Sequence, residues 1–228
     1  MAFTPTNLTD WIRSDKYHNH FLIPPNDALT AAVKLSEQNQ FASYAVSEAQ
    51  GKFLNLVAKS IQARRILEIG TLGGYSTIWL ANALPDDGEL VTCEISEDFA
   101  KIAQININNA GLMDKVKIIV GPAMTTLPNI NPNASFDLAF IDADKQSNVE
   151  YFIQAKRLVR KRGVIIVDNV VRNGRVADPK QNDPHIEGVR KLLEYIKNDS
   201  TVEATTLGTA GEKGYDGFLY AVNMSSIN

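Results

Sequence analysis

From Arg65 onward the chain alternates short, nearly unbroken apolar runs with longer amphipathic stretches, and few folds accept that rhythm. The runs at 65–69, 90–95, 116–120, 136–141 and 164–167 have the length and continuity of strands buried on both faces of a parallel sheet. The stretches between them read as helices. Residues 75–84 end at Pro85 and the turn Asp86-Asp87-Gly88. Ser96 is placed to cap the next helix, with Glu97 and Asp98 in its first turn. Residues 147–160 carry Val149, Phe152, Ile153 and Val159 at helical spacing and stop at Gly163. Strand–helix alternation predicts right-handed crossovers and an α/β, doubly wound sheet. Two later runs, 202–207 and 217–222, are joined by the short Gly-rich connection 208–216 and should pair antiparallel.

The first sixty-odd residues differ. Trp11 and Phe21 stand among polar residues, Pro24-Pro25 follows, and two helical patterns come next. Ser47-Glu-Ala-Gln50 has the form of a capping box, opening a helix with Phe53, Leu54, Val57 and Ile61 on one side. This region is expected to be a helical cover (1–62) on a sheet core (63–228), within a single domain of 228 residues.

Charge narrows the choice of partner. A net charge of −3 suits neither a phosphate backbone nor an anionic membrane. The basic cluster from Arg157 to Arg162 reads as a solvated helix end. Cys93 is the single cysteine, so no disulfide framework or thiolate zinc site is available, and it should pack as a small hydrophobe. No apolar stretch approaches membrane-spanning length and no leader pattern opens the chain, so a cytoplasmic protein is expected.

The first apolar run breaks into Gly70, Gly73 and Gly74. Ligands of open α/β sheets sit beyond the carboxyl ends of the strands, so this turn should bind a cofactor. Its spacing is G-x-x-G-G, whereas the dinucleotide fingerprint needs a second glycine two residues after the first. Glu68 would also repel a pyrophosphate. A sulfonium cofactor carrying an amino-acid group removes that objection, since a carboxylate could face its ammonium or its sulfur. Glu94 ends the second run, where an acidic side chain accepts hydrogen bonds from ribose hydroxyls.

The fourth run ends in Asp142 and the fifth in Asp168-Asn169. Three oxygen ligands at one edge of neighbouring strands suit Mg²⁺ with positions left for water or substrate, and the lack of a nearby histidine argues against zinc. His18, His20 and His185 read as surface residues. Lys145 follows Asp142 by three positions. Beside a divalent cation its ammonium is disfavoured, so it could accept a proton. The competing role is an ordinary salt bridge with Asp144 or Glu150.

Together these motifs resemble the cation-dependent class I S-adenosylmethionine O-methyltransferases, the group of catechol and caffeoyl-CoA O-methyltransferases. The carriers are Glu68-Ile-Gly70 with Gly73-Gly74-Tyr75-Ser76, Glu94, Gly121-Pro-Ala123, Asp142-Ala-Asp-Lys145, and Asp168-Asn169 with Asn173-Gly174, over roughly residue 46 to the C-terminus. The resemblance implies a seven-stranded, mostly parallel Rossmann-like methyltransferase sheet with its last strand antiparallel, and a homodimer. It implies cofactor contacts from Glu68, Gly70, Ser76, Glu94, Ala123 and Asp144, with Val46 and Tyr151 at the edges. It implies Asp142, Asp168 and Asn169 as metal ligands, Lys145 as base, and Asp142 and Asn173 facing the acceptor. Plant-type members usually have an aromatic residue before the Asn-Gly pair, where this chain has Val171-Arg172.

The expected reaction is direct displacement of the cofactor's methyl group by a hydroxyl of an aromatic vicinal diol held by Mg²⁺, with Lys145 taking the proton. The rivals are a nucleotide-dependent dehydrogenase, an RNA or protein methyltransferase, and a non-catalytic cofactor-binding module. The glycine spacing opposes the first. Asp142-Ala-Asp-Lys145 stands where members methylating exocyclic nitrogen often carry an Asn/Asp-Pro-Pro-aromatic motif. The loop 176–185, with Asp178-Pro and Asp183-Pro, should flank the acceptor site, as a gate or as plain surface.

Overall fold

The five apolar runs carry hydrophobic side chains on both faces, so each needs cover above and below. In the computed structural model, which describes residues 4–133 and 135–225, seven strands form one sheet. They are β1 (Arg65–Ile69), β2 (Glu89–Glu94), β3 (Val116–Val120), β4 (Phe136–Ile141), β5 (Val159–Val167), β6 (Val202–Gly211) and β7 (Gly214–Asn223), in the order β3-β2-β1-β4-β5-β7-β6. The first five are parallel, and β7 runs antiparallel to both β5 and β6. The doubly wound sheet expected from the sequence is the one found.

The described helices are α1 (Leu8–Leu22), α2 (Asp27–Gln38), α3 (Glu48–Ser60), α4 (Tyr75–Ala81), α5 (Glu97–Asn109), α6 (Ala123–Thr126), α7 (Asn148–Leu158) and α8 (Pro184–Lys197). Period-2 alternation along the strands sorts the core into two layers. Ile66, Leu90, Leu138, Phe140 and Ile166 meet Leu29, Leu54, Ile78 and Ile107 from α2 to α5 on one face. Leu67, Ile69, Val91, Ile141 and Ile165 meet Phe152, Leu158, Val189 and Leu192 from α7 and α8 on the other. Each such side chain contributes about 1.5–3 kcal/mol when fully buried.

Local departures have local causes. β3 was expected to be buried on both faces, yet only Val116 is, because it is an edge strand. α7 buries Tyr151, Phe152, Ala155 and Leu158, while Ile153 is 40% exposed and Val159 belongs to β5. The basic cluster is no solvated helix end. Arg157 donates to the carbonyls of Leu127 and Ile130, and Arg160 pairs with Asp137 at 2.6 Å. The hairpin is tighter than the 208–216 connection, since β6 and β7 pair down to Gly211 and Gly214.

The expected cover comprises α1, α2 and α3. The sequence reading has no helix at α1, because its apolar residues form no inward stripe; it buries none of its residues. A capping box does open it. Asn7 Oδ1 accepts from the N–H groups of Thr9 and Asp10, and the Asp10 carboxylate accepts from Asn7 N–H. His18, His20 and His185 are exposed and Cys93 is buried, as expected. No described helix is long and apolar enough to cross a membrane.

Candidate active site

β1 and β4 are adjacent although β2 and β3 leave in the other direction, so the order reverses between them, and a crevice opens at their carboxyl ends. Gly70 turns the chain there at φ +100°, and a Cβ on it would stand 2.2 Å from the carbonyl oxygen of Asp142. Any other residue would force β1 and β4 apart. Gly74 caps α4 in the left-handed conformation, and Asn106 Nδ2 donates to the Gly73 carbonyl at 2.8 Å.

Both glutamates of this region are inward groups. Glu68 is fully buried beneath the turn, on the same strand face as Ile66, and pairs in register with Thr92. Its carboxylate accepts from Ser76 Oγ (2.7 Å), Thr77 Oγ1 (2.5 Å) and Thr92 Oγ1 (2.7 Å). Burial pushes its pKa up to about 7, against the lowering effect of those hydroxyls. Glu94 accepts from the N–H groups of Thr71, Leu72 and Ser96, and so fixes the shape of the turn.

Asp142 and Asp168 leave adjacent strands at the same level. Asp142 N–H bonds Ile69 O, and Asp168 N–H bonds Ile141 O. Asp168 is buried; burial, and then the charge of Asp142, raise its pKa, with Lys145 opposing. Lys145, also buried, pairs with Asp142 at 2.8 Å, and not with Asp144 or Glu150. Asn169 follows in the left-handed region at φ 57°. Gln50 completes the cluster. Its N–H takes the Ser47 cap, while its side chain lines the second cavity with Asp168 and works against the rise in that carboxyl's pKa. Nothing in the sequence distinguished it from an ordinary capping-box residue.

A cavity of ≈ 240 Å³ is lined by Val46, Gly70 to Gly73, Ser76, Asp142, Lys145 and Asn169. A second, of ≈ 260 Å³, shares Val46 and Asn169 with it and adds Gln50, Asp168, Arg172 and Asn173. Glu68, Glu94, Ala123, Asp144 and Tyr151 line neither. Asp144 caps the turn Lys145–Ser147 and accepts from Tyr151 Oη at 2.5 Å. Burial opposes its ionisation, yet the bonds from Tyr151 and Ser147 hold its carboxyl below the usual value. Ala123 packs half-buried on the lower core layer.

The donor chemistry of these cavities suits the groups expected. The first has one cation, Lys145, already paired, and otherwise backbone, hydroxyl and carboxylate; that fits a zwitterionic sulfonium better than a diphosphate. Where the two meet, Asp142 of the first and Asp168 of the second repel each other beside the amide of Asn169, which lines both, a hard-oxygen set suited to Mg²⁺. The described residues hold no group of three or more His, Cys, Asp or Glu placed for a metal, and the Asn169 amide is the further oxygen beside the two carboxylates. Beyond this, Arg190 clasps the loop 176–181. Its guanidinium donates to the carbonyls of Val176 (3.0 Å), Gln181 (2.7 Å) and Asp178 (2.6 Å). Arg175 ties the same loop to Gln181 and Asp183.

A methyltransferase-type sheet with a glycine turn and an acidic cluster at its switch point defines the class. The O-methyltransferase family model matches residues 24–213. The chain is 44% identical to a catechol O-methyltransferase of Mycobacterium tuberculosis over 91% of its length and 94% of that protein's. It superposes on the O-methyltransferase TomG of Streptomyces achromogenes, solved with SAM, with a TM-score of 0.93, 43% identity and coverage of 97% and 100%. For an O-methyltransferase of Bacillus cereus in complex with SAH, the values are 0.92, 46%, 95% and 99%. The chain belongs to the O-methyltransferase family, and its enzyme class is the S-adenosylmethionine-dependent one expected from the sequence. The match begins well before residue 46, so the likeness includes much of the cover.

Proposed function

We propose that this enzyme methylates one hydroxyl of an aromatic vicinal diol in a divalent-metal-dependent reaction, using one catalytic domain of which the cover forms the acceptor wall. The observation that carries the reading is the cluster at the strand ends. Asp142 and Asn169 line the cavity of the glycine turn, Asp168 lines the adjoining one together with Asn169, and the buried Lys145 pairs with Asp142. Gly70 and Ser76 line the amino-acid end of the cofactor site, with Val46 across from them. Glu68, through Ser76, and Glu94, through the turn, hold its shape, with Glu94 keeping lone pairs for ribose hydroxyls. Ala123, Asp144 and Tyr151 lie outside the walls of both cavities and would meet the adenine end of the cofactor.

Asp142, Asp168 and Asn169 would hold a Mg²⁺ ion, which when bound would supply positive charge to orient a diol and ease loss of its proton. Lys145 Nζ, acting as the neutral amine, would take that proton while the acceptor oxygen forms the O–CH₃ bond and the S–CH₃ bond breaks, leaving S-adenosylhomocysteine and the lysine ammonium paired with Asp142. General-base help of this kind is typically worth about 10²–10⁴ in rate. Gln50 holds the Asp168 carboxylate in place, and Asn173 stands on the acceptor side of the second cavity.

We further assign a homodimer, supported by the exposed Tyr17, Phe21 and Leu22 of α1 and by the exposed face of β6. The test of function is incubation with S-adenosylmethionine and catechols, flavonoids and caffeoyl esters, with Mg²⁺ or EDTA. Methylated diols formed only with Mg²⁺ are expected. Methylation indifferent to EDTA would remove the metal and leave the cluster a structural feature.

A further inference from the structure

Arg172 is the residue the mechanism leaves unused. It sits at φ 53° between Asn169 (57°) and Asn173 (57°), so three non-glycine residues in a stretch of five occupy the left-handed region. The asparagines adopt this region readily, whereas Arg172 is held there only because its surroundings impose it. Two fixed points do so here: Asp216 Oδ1 accepts from the N–H groups of Val171 (3.1 Å) and Arg172 (2.7 Å), and Asn173 N–H donates to Tyr215 O at 2.9 Å. The strained backbone brings Arg172 into the wall of the second cavity, beside Asp168 and Asn169.

Among the described residues its charge meets no carboxylate partner. Arg172 Nε is buried without a hydrogen bond, and no carboxylate among the described residues forms an ion pair with its guanidinium. Asp216, the acid on the same wall, is engaged with backbone N–H groups through Oδ1. Arg175, the neighbouring arginine, is tied to Gln181 and Asp183. The wall thus sets Arg172, Arg175 and Lys213 against Asp168 and Asp216, before any cation is added. A cavity of ≈ 260 Å³ takes one aromatic ring with a small substituent.

Resting on the diol-methylating reading above, we infer that the acceptor is an aromatic vicinal diol bearing a ring carboxylate, and that Arg172 is the specificity residue that binds this carboxylate. A guanidinium offers a carboxylate two parallel N–H donors, which fixes the ring as well as attracting it. An unpaired arginine half-withdrawn from water gains most from such a ligand.

The test measures acceptor binding and turnover separately, with S-adenosylhomocysteine and Mg²⁺ present for the binding arm. The probes are 3,4-dihydroxybenzoate and the neutral 3,4-dihydroxybenzamide. The wild-type enzyme should bind the acid at least about tenfold more tightly. Arg172→Gln should bind both alike, and Arg172→Lys should keep part of the preference. Equal binding of the two probes by the wild type would overturn the inference, as would an equal loss for both in Arg172→Gln. Methylation of either probe by the wild type then still upholds the parent reading. If Mg²⁺-dependent turnover is absent, the parent reading falls, while the binding difference continues to judge Arg172 alone. Matching melting temperatures for the three proteins exclude a folding defect as the cause.

Discussion

The floor and the walls of this site are built on opposite principles. At the floor, the ends of β1, β4 and β5 carry Glu68, Lys145 and Asp168 almost withdrawn from water, Glu68 held by three hydroxyls, Lys145 by Asp142 and Asp168 by the N–H of Asn169. At the walls, α1 buries no residue, β6 is exposed almost throughout, and the loop 176–181 is fastened chiefly by arginine side chains. The difference teaches where chemistry and choice reside. Proton transfer and metal binding need groups fixed to a fraction of an ångström, which only packed strand ends provide. Acceptor selection tolerates change, and the walls can vary without disturbing the sheet.

Breaking the floor should cost most. Lys145→Ala is expected to lower turnover about 10²–10⁴-fold while S-adenosylmethionine still binds, measured by single-turnover assays beside calorimetry. Unchanged turnover would place the base elsewhere.

Glu68 sharpens the contrast through pH. Its pKa of about 7 lies above the ordinary 4.5, so the folded state keeps the proton to higher pH than the unfolded chain. Its contribution is therefore fully present below about pH 4.5 and is lost as pH rises through 7. Urea titrations of wild type and Glu68→Gln across pH 4.5–8 should diverge by up to about 3 kcal/mol, the variant gaining on the wild type as pH rises. Parallel curves would mean that the three hydroxyl donors keep the carboxylate ionised.

At the walls, Arg190→Ala removes three carbonyl contacts from the 176–181 loop. The acceptor KM should rise several-fold with kcat nearly unchanged, and stability should fall by about 1–3 kcal/mol. A large drop in kcat instead would show that the loop positions the floor. The smallest effect belongs to Phe21→Ser. Folding stability should move by no more than about 0.5 kcal/mol, whereas light scattering should register a shift from dimer to monomer. An unaltered mass would put the subunit contact elsewhere.

Legibility in the sequence followed the same division. The bounds of β1 and β4 are legible to the residue because strands buried on two faces must be apolar without interruption, and those of β3 are legible too, although as an edge strand it buries only Val116. The cap at Ser96 and the glycine turn were legible because their geometry demands particular residue types. α1 was not, since a helix that buries nothing shows no apolar stripe, although Asn7 and Asp10 carried its one local sign. The inward phase of α7 was misjudged for a related reason: Val159, counted in its stripe, belongs to β5.

The sequence by itself determined the sheet, the family and the residues that end its strands, because these depend on local pattern and chain order. Only the tertiary structure decided who meets whom at the site. It turned Gln50 from a cap toward Asp168, paired Lys145 with Asp142 in place of Asp144, and sank Glu68 beneath the turn it shapes. Those choices arise between elements far apart in the chain, where burial and charge set the partner and no local spacing records it.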